Sequence, residues 1–275
     1  MSALKWLMIV AGCYGGLLAL MYGFQRNLMY FPDRTRTPPA AAGLPQAQDI
    51  MLTAGDGTRL VAWFVAPRDD RPVVLYFQGN AGGSSLRVGR FRWLTADGTG
   101  LLALSYRGYG GSDGSPSEDG LIRDALAAYD FLRTRFSADR IVVFGESLGT
   151  AVAIALAEGR EIKALILDAP FTSAADIGAA AYPFAPVRWL MKDKWLSHAR
   201  VAGVSAPMLV LHGERDSVIP VAYGERLFAL AKEPKRMVRF ARGGHVNLDD
   251  YGAAETVKSF LAEIATARKS NSASP

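Results

Sequence analysis

The amino-acid sequence predicts an α/β protein with a doubly wound, mostly parallel sheet. Short unbroken apolar runs recur along the chain, and such runs are typical of strands that are buried on both faces of a parallel sheet. Segments with apolar residues at helical spacing separate the runs, which gives the βα alternation of a doubly wound sheet. The six runs lie at 73–77, 101–106, 141–144, 164–168, 208–212 and 237–240.

Two further patterns place the first strands and one of the covering helices. Residues 50–67 consist of two strand-like stretches on either side of Asp56-Gly57, which predicts a β-hairpin at the N-terminal edge of the sheet. The stretch SPSE at 115–118 has the pattern of a capping box, so we expect a helix to start there. The following apolar stripe runs from Leu121 to Leu132 and gives that helix one buried face.

Composition limits the classes of protein that the chain can belong to. A length of 275 residues suits a single α/β domain, which commonly has about 250 residues. The net charge is +5, but the lysines and arginines are scattered, so we interpret them as a solvated surface and expect no nucleic-acid partner. The single cysteine, Cys13, excludes an internal disulfide and a cysteine-based zinc site, and it does not fix the redox compartment.

The sequence divides into four segments of different character. Residues 1–25 are predicted to be a transmembrane anchor, because positions 6–24 form a run of 19 residues without a charge. As a helix this run would rise about 28 Å, close to the hydrocarbon thickness of a bilayer. Residues 26–48 contain several prolines and read as an extended linker, 49–267 as the α/β domain and 268–275 as a flexible tail.

Two alternatives to the anchor stay open. The stretch VAGC at 10–13 is similar to a lipoprotein lipidation box, although the residues after Cys13 remain apolar. A buried core helix is the other alternative, and the absence of any polar face disfavours it. No small-x-small cleavage site closes the apolar run, which favours a retained anchor over a cleaved signal peptide. Positive charges flank the run on both sides, so the sequence does not predict which side of the membrane the domain occupies.

The pattern G-x-S-x-G occurs twice, and the surrounding elements distinguish the two copies. Ser112 lies several residues beyond a strand in a glycine-rich loop, so we interpret it as structural. Ser147 lies between the strand at 141–144 and an apolar helix with no intervening loop. Such a tight strand-to-helix turn exposes the serine hydroxyl above the sheet edge and directs the positive end of the helix dipole towards it. Ser147 is therefore the predicted nucleophile.

A serine nucleophile needs a base and an acid that orients the base. Three histidines are present, and His245 is the predicted base because it follows the last strand at the carboxyl edge of the sheet. His212 is interpreted as a packing residue and His198 as a surface or lid residue. Asp216, which follows the penultimate strand, is the predicted acid. The other acids considered are Asp168, its main competitor, and Glu214, which is expected to point away.

The oxyanion of the reaction needs backbone N–H donors. Leu148, at the start of the helix after Ser147, supplies one predicted donor, and Asn80 in the glycine-rich turn after the strand at 73–77 supplies the other. A glycine loop before a helix can also bind phosphate, but this loop lacks both the P-loop ending and the G-x-G-x-x-G spacing. We therefore predict no cofactor and no metal.

Five stretches occur in a characteristic order along nearly the whole chain: FQRNLMYFP, LSYRGYGGSDGSPSEDGL, FGESLGTAVA, HGERDSVIP and GGHVNL. Together they resemble the single-pass, membrane-anchored α/β-hydrolases, whose better-known relatives include protein depalmitoylases. The resemblance implies the α/β-hydrolase fold, with Ser147, Asp216 and His245 as nucleophile, acid and base. One departure is that Gln78-Gly79 stands where the family usually has His-Gly, so the side-chain hydrogen bonds of the oxyanion turn must differ.

Residues 171–200 are too few for a large cap domain and are rich in aromatic residues. They form either a short apolar lid over Ser147 or an aromatic cluster that packs on the sheet edge. The predicted function is a serine hydrolase that cleaves carboxylic esters or thioesters, with a small-molecule or lipid-like acyl substrate if the lid is present. A peptidase of the same fold and an inactive membrane-tethered scaffold are the alternatives. The sequence does not predict the oligomeric state.

Overall fold

An eight-stranded sheet lies at the centre of the structure, a computed structural model that describes residues 2–272. The strand order is β10-β9-β8-β7-β4-β6-β3-β2, and a separate two-stranded sheet pairs β1 with β5. The strands are β1 (Phe31–Pro32), β2 (Gln48–Thr53), β3 (Arg59–Val65), β4 (Val73–Phe77), β5 (Ala81–Gly82), β6 (Gly100–Leu104), β7 (Ile141–Glu146), β8 (Ala164–Asp168), β9 (Met208–Gly213) and β10 (Lys235–Phe240).

The hairpin β2–β3 and the β3–β6 pair are antiparallel, and the other pairs of the large sheet are parallel. This confirms the predicted α/β-hydrolase fold, with its hairpin at one edge of a mostly parallel sheet. The helices are α1 (Ala3–Met29), α2 (Val88–Thr95), α3 (Glu118–Arg133), α4 (Leu148–Ala157), α5 (Ala174–Ala181), α6 (Val187–Leu190), α7 (Ser197–Arg200), α8 (Val221–Leu230) and α9 (Ala253–Ser272).

Both faces of the sheet are buried, as the unbroken apolar strands predict. Along β4, Leu75 and Phe77 belong to the core cluster that includes α3 and α4, whereas Val74 and Tyr76 belong to the cluster that includes α2 and α9. All ten residues of α4 are buried, so this helix runs through the core directly behind the strand ends. Burial at about 25 cal/mol per Å² of apolar surface makes these two layers the main source of stability.

Helix α3 begins two residues later than the capping box at 115–118 predicts. Its N-cap is Ser117, whose hydroxyl accepts a hydrogen bond from the N–H of Gly120 at 3.2 Å. The side chain of Glu118 is directed elsewhere and accepts the N–H of Trp195 at 2.9 Å. The cap thus uses the second serine of the stretch because the glutamate is engaged with residue 195.

Two structural elements cross the predicted segment boundaries at residues 25 and 48. Helix α1 continues to Met29, and its last turn is held by the ion pair between Arg26 and the buried Asp193. The chain then pairs at once with β5 through Phe31 in β1, in the separate two-stranded sheet. Leu44 is fully buried, so the segment predicted as an extended linker packs on the domain. Proline content identified the lack of regular structure here, but not these contacts.

The segment 171–200 contains the three short helices α5, α6 and α7, and residues of α5 and α6 line the same cavity as Ser147. Tyr182 lines that cavity, as the lid interpretation predicts, but the two tryptophans of the segment do not. Trp195 is buried and donates its indole N–H to the hydroxyl of Tyr30 at 3.1 Å, whereas Trp189 is 86% exposed. At the other end of the chain, helix α9 extends to Ser272, into the predicted tail, and positions 273–275 lie outside the described residues.

Candidate active site

Ser147 occupies a strained turn between β7 and α4. Its φ is +52°, in the left-handed region that non-glycine residues rarely adopt. The N–H of Ser147 donates to the carbonyl of Asp168 at 2.8 Å, which fixes the turn against the neighbouring strand β8. The turn holds the serine at the carboxyl end of β7, as the second G-x-S-x-G pattern predicts.

The two glycines of this pattern are required by close backbone approach. A Cβ on Gly145 would lie 2.4 Å from the carbonyl oxygen of Gly149. A Cβ on Gly149 would lie 2.1 Å from the carbonyl oxygen of Phe77 in β4. The first separation allows the tight turn, and the second allows α4 to start directly over the strand.

The structure brings the predicted nucleophile, base and acid into one hydrogen-bonded chain. His245 Nε2 lies 2.9 Å from Ser147 Oγ, and His245 Nδ1 lies 2.8 Å from Asp216 Oδ2. The second oxygen of Asp216 accepts the N–H groups of Val218 and Ile219, both at 2.8 Å. Because the carboxylate is held by these backbone donors, it fixes the orientation of the imidazole ring.

The electrostatics of the chain suit a histidine that accepts a proton. Burial lowers the pKa of His245, but the hydrogen bond and charge of Asp216 outweigh this effect, so the pKa lies above its ordinary value of 6.5. Burial raises the pKa of Asp216, but His245 and the backbone N–H groups outweigh burial and keep that pKa below the ordinary range. Asp216 is therefore ionised at neutral pH and stabilises the imidazolium.

The other histidines make structural contacts. His212 is buried, with Nε2 2.8 Å from the carbonyl oxygen of Ile219, and burial lowers its pKa. His198 is exposed, and its Nδ1 lies 3.0 Å from the carbonyl oxygen of Thr172. The structure thus places His212 as a packing residue and His198 on the surface of the lid segment.

The alternative nucleophile and the two alternative acids each make local contacts away from His245. The hydroxyl of Ser112 donates to the carbonyl of Ser105 at 2.8 Å and accepts the N–H of Val61 at 2.8 Å. Glu214 is exposed and lies 3.6 Å from Arg239. The competitor Asp168 is buried, and its Oδ2 lies 2.7 Å from Arg90 Nη1.

The predicted oxyanion donors, Asn80 and Leu148, both line the same cavity as Ser147 and His245. Leu148 is the first residue of α4, where an N–H has no intrahelical acceptor. The peptide of Asn80 is held by its own contacts, since its carbonyl accepts the hydroxyl of Tyr109 at 2.8 Å. Gln78 is buried, and neither atom of its side-chain amide has a hydrogen-bond partner among the described residues.

A buried charge network that the sequence interpretation missed surrounds the base of the turn. Glu146, next to Ser147, lies 2.7 Å from Arg87 and 3.4 Å from Arg90 and accepts the hydroxyl of Tyr76. Burial raises the pKa of Glu146, but the two guanidinium groups outweigh burial and lower it to about 2. Burial raises the pKa of Asp168, despite Arg90, to about 6. The sequence does contain one signal for this network. Glu146 ends an apolar strand, and a carboxylate buried there needs a charged or hydrogen-bonding partner.

Ser147 and His245 line a largely apolar cavity of about 590 Å³. This volume lies in the range of small-molecule binding sites. Besides two tyrosines, the polar side chains of its wall are Gln25, Asn80, Ser147 and His245. The other wall residues belong to α1 and to the lid segment, together with Phe31, Ala81, Leu148, Val218 and Ile219. Within residues 2–272, no group of three or more His, Cys, Asp or Glu side chains is arranged to hold a metal ion.

Comparison with known proteins identifies the family. A family model described as "Serine aminopeptidase, S33" matches residues 68–199. The chain is 41% identical over 270 residues to the uncharacterized protein Rv2307c of Mycobacterium tuberculosis, with 96% of each chain covered. It is 34% identical to the α/β-hydrolase domain-containing protein WAV2 of Arabidopsis thaliana, covering 85% of this chain and 86% of that one.

The chain belongs to the α/β-hydrolase family. Another relative, the lysophosphatidylserine lipase ABHD12 of Danio rerio, is 31% identical, with 76% of this chain and 64% of that protein covered. The solved structure of the Pyrococcus furiosus esterase Pf2001 superimposes with a TM-score of 0.70 at 21% identity, covering 85% of this chain and 98% of that one. Membership of this α/β-hydrolase family, with a lipase among its relatives, supports hydrolase activity.

Proposed function

We propose that the protein is a serine hydrolase that cleaves carboxylic esters or thioesters of lipid-like acyl groups through an acyl-enzyme. The observation that carries the proposal is the continuous chain of hydrogen bonds from Asp216 through His245 to Ser147 at the wall of an apolar cavity. A strained serine with its base already at 2.9 Å is a general arrangement for nucleophilic catalysis.

The reaction follows from this geometry in two halves. His245 Nε2 accepts the proton of Ser147 as Oγ attacks the acyl carbonyl carbon, and Asp216 stabilises the resulting imidazolium. The N–H groups of Asn80 and Leu148 are the proposed donors to the oxyanion. The imidazolium then gives its proton to the departing alcohol or thiol, which leaves the acyl group on Ser147. A water molecule, activated by the same base, releases the carboxylic acid.

The lack of an acidic side chain in the cavity wall favours acyl substrates over peptides. An aminopeptidase must hold a charged amino terminus, and a buried ammonium needs a carboxylate partner. Among the described residues that line the cavity, none has an acidic side chain. The family description makes the peptidase a specific second candidate, and cleavage of aminoacyl-nitroanilides faster than of short acyl esters would favour it.

We propose further that α1 is a membrane anchor. The helix has 27 residues, is apolar enough to span a bilayer and contributes no buried residue in its most apolar stretch. Retention in the membrane fraction after an alkaline carbonate wash, at the intact mass of the full chain, would support the anchor. A shorter mass would indicate a cleaved signal, and a lipid adduct at Cys13 would indicate a lipoprotein. Comparing fluorophosphonate labelling in intact and in permeabilised cells shows on which side of the membrane the domain lies.

The test of the hydrolase uses the two G-x-S-x-G serines as a matched pair. Purified full-length protein in detergent should react with a fluorophosphonate probe and hydrolyse p-nitrophenyl butyrate. Ser147→Ala should abolish both. Ser112→Ala should retain both and lose about 1–3 kcal/mol of stability, because it leaves a buried backbone N–H without an acceptor. Wild-type protein that neither labels nor turns over would support the inactive scaffold instead.

A further inference from the structure

We infer that the last three turns of α1, Leu18–Met29, form one wall of the acyl-binding site and set the length of the acyl chain that is cleaved. The helix then selects the substrate as well as attaching the protein to a membrane. The inference rests on the proposed function, since it assigns a role within the same cavity.

One face of the helix lines the cavity. Leu18, Met21, Gln25 and Met29 are half-buried cavity residues, and their spacing places them on one side of an α-helix. Leu20, which lies outside this stripe, is 61% exposed. A helix that served only as an anchor would have no reason to present one face to the same cavity as Ser147.

Directed polar contacts fix the helix against the lid. Arg26 makes a two-pronged contact with Asp193, with Nε and Nη2 at 2.8 and 3.1 Å from the carboxylate oxygens. The side-chain amide of Gln25 accepts the N–H of Lys192 at 2.6 Å and donates to the carbonyl of Leu190 at 3.4 Å. Because Asp193 is buried and bidentate pairs are geometrically specific, these contacts define both the rotation and the height of the helix.

A separate contact ties the end of the helix to the oxyanion turn. The side-chain amide of Asn80 donates to the carbonyl of Met29 at 2.7 Å, and the carbonyl of Asn80 accepts the N–H of Phe31 at 3.1 Å. Met29 therefore marks the catalytic end of the wall. Leu18 lies eleven residues earlier, which places it about 16 Å further along the helix axis.

This distance gives the expected chain length. An extended polypeptide advances about 3.6 Å for every three backbone bonds, or about 1.2 Å per bond. A wall of about 16 Å then accommodates an extended acyl chain of about 13 bonds. We assign the preferred substrate to esters or thioesters of acyl chains with about 12–14 carbons, whose far end contacts Leu18.

The opposite side of the cavity is consistent with a single chain. It is formed by Ile177, Gly178 and Ala181 of α5 together with Val187 and Leu190 around α6. Two of these five side chains are no larger than a methyl group, which leaves room for a narrow apolar ligand between α1 and the lid. A headgroup would have to remain near Ser147 and His245, because it is joined to the acyl chain at the ester or thioester bond that Ser147 attacks.

The experiment compares two tryptophan substitutions on the same helix in full-length protein in detergent micelles. Leu18→Trp fills the far end of the wall, and Leu20→Trp adds the same bulk outside the stripe. The measured quantity is the ratio of kcat/KM for p-nitrophenyl laurate to that for the butyrate. We expect Leu18→Trp to lower this ratio at least tenfold and Leu20→Trp to change it less than twofold. Leu18→Ala, which removes the side chain at the far end of the wall, should raise the ratio of kcat/KM for the palmitate to that for the laurate.

The outcomes separate the inference from the proposed function. An equal ratio in the two tryptophan variants, with fluorophosphonate labelling retained, would overturn the inference and leave the hydrolase intact. Loss of labelling and turnover already in the wild-type protein would overturn both. If Leu18→Trp does not fold, the palmitate-to-laurate ratio of Leu18→Ala decides, and an unchanged ratio there would also overturn the inference.

Discussion

Adding one methyl group at Gly149 should have a far larger effect on stability than the same change at an unobstructed glycine of a helix. The Cβ of Gly149→Ala would lie 2.1 Å from the carbonyl oxygen of Phe77 and 2.7 Å from that of Gln78. Ordinary van der Waals contact begins near 3.4 Å, so helix α4 must retreat from β4 by about 1.3 Å. Both obstructing groups are backbone atoms of the central sheet, which cannot rotate away.

Overpacking of a close-packed core costs about 1–3 kcal/mol where side chains can adjust. Here the backbone must shift, so we expect Gly149→Ala to lower the free energy of unfolding by at least about 3 kcal/mol. The matched control is Gly89→Ala in α2, an exposed helical glycine with no heavy atom within 4 Å of the added Cβ. Because alanine favours a helix over glycine, this control should gain about 0.5–1 kcal/mol.

The assay is urea unfolding of the full-length protein in detergent, followed by tryptophan fluorescence. The two alanine variants should shift the midpoint in opposite directions. Fluorophosphonate labelling of folded Gly149→Ala should also slow, because the displaced atoms adjoin the oxyanion turn at Asn80. A loss below about 1 kcal/mol at Gly149, or a loss at Gly89 equal to that at Gly149, would refute the reasoning from close approach.

The remaining predictions concern charge. Since His245 must be neutral to accept the proton, ester hydrolysis should rise with pH through its raised pKa, and the inflection of kcat/KM should lie above pH 6.5. Asp216→Asn removes the interaction that raises this pKa, so the inflection should move to lower pH while kcat falls about 10⁴-fold; an inflection that stays in place would contradict this assignment of cause. Arg90→Met leaves two buried carboxylates without their shared cation and should cost about 3–5 kcal/mol in urea unfolding. Arg71→Met, in an exposed pair, should change stability by less than about 1 kcal/mol, and similar losses in both variants would contradict the role of burial.

The sequence is sufficient for the elements whose signal is local. The turn at Ser147 is recognisable because the strand, the glycines and the helix are consecutive. Asp216 and His245 could be selected because each follows a strand of the parallel sheet, and the carboxyl ends of such strands meet at one edge. The two-residue strands β1 and β5 left no such signal, since they are too short to show a period.

Contacts over long sequence separations could not be predicted in the same way. The pairing of Arg26 with Asp193 spans 167 positions. Between positions 6 and 24 helix α1 has no charged residue on any side, so its sequence does not indicate which face meets the domain. Arg87 and Arg90 were interpreted as part of a solvated surface, and only the fold shows that they are buried against Glu146.

The pairing of Phe31 with Ala81 limits how far the active site can move away from helix α1. Only Tyr30 separates the end of α1 from this pairing, so no flexible linker allows the domain to move away from the helix. If α1 is embedded in a bilayer, the catalytic mouth stays at a constant elevation above the lipid surface. Substrates would then have to arrive by lateral diffusion within the membrane plane, and acyl groups displayed far out on a soluble partner would remain out of range.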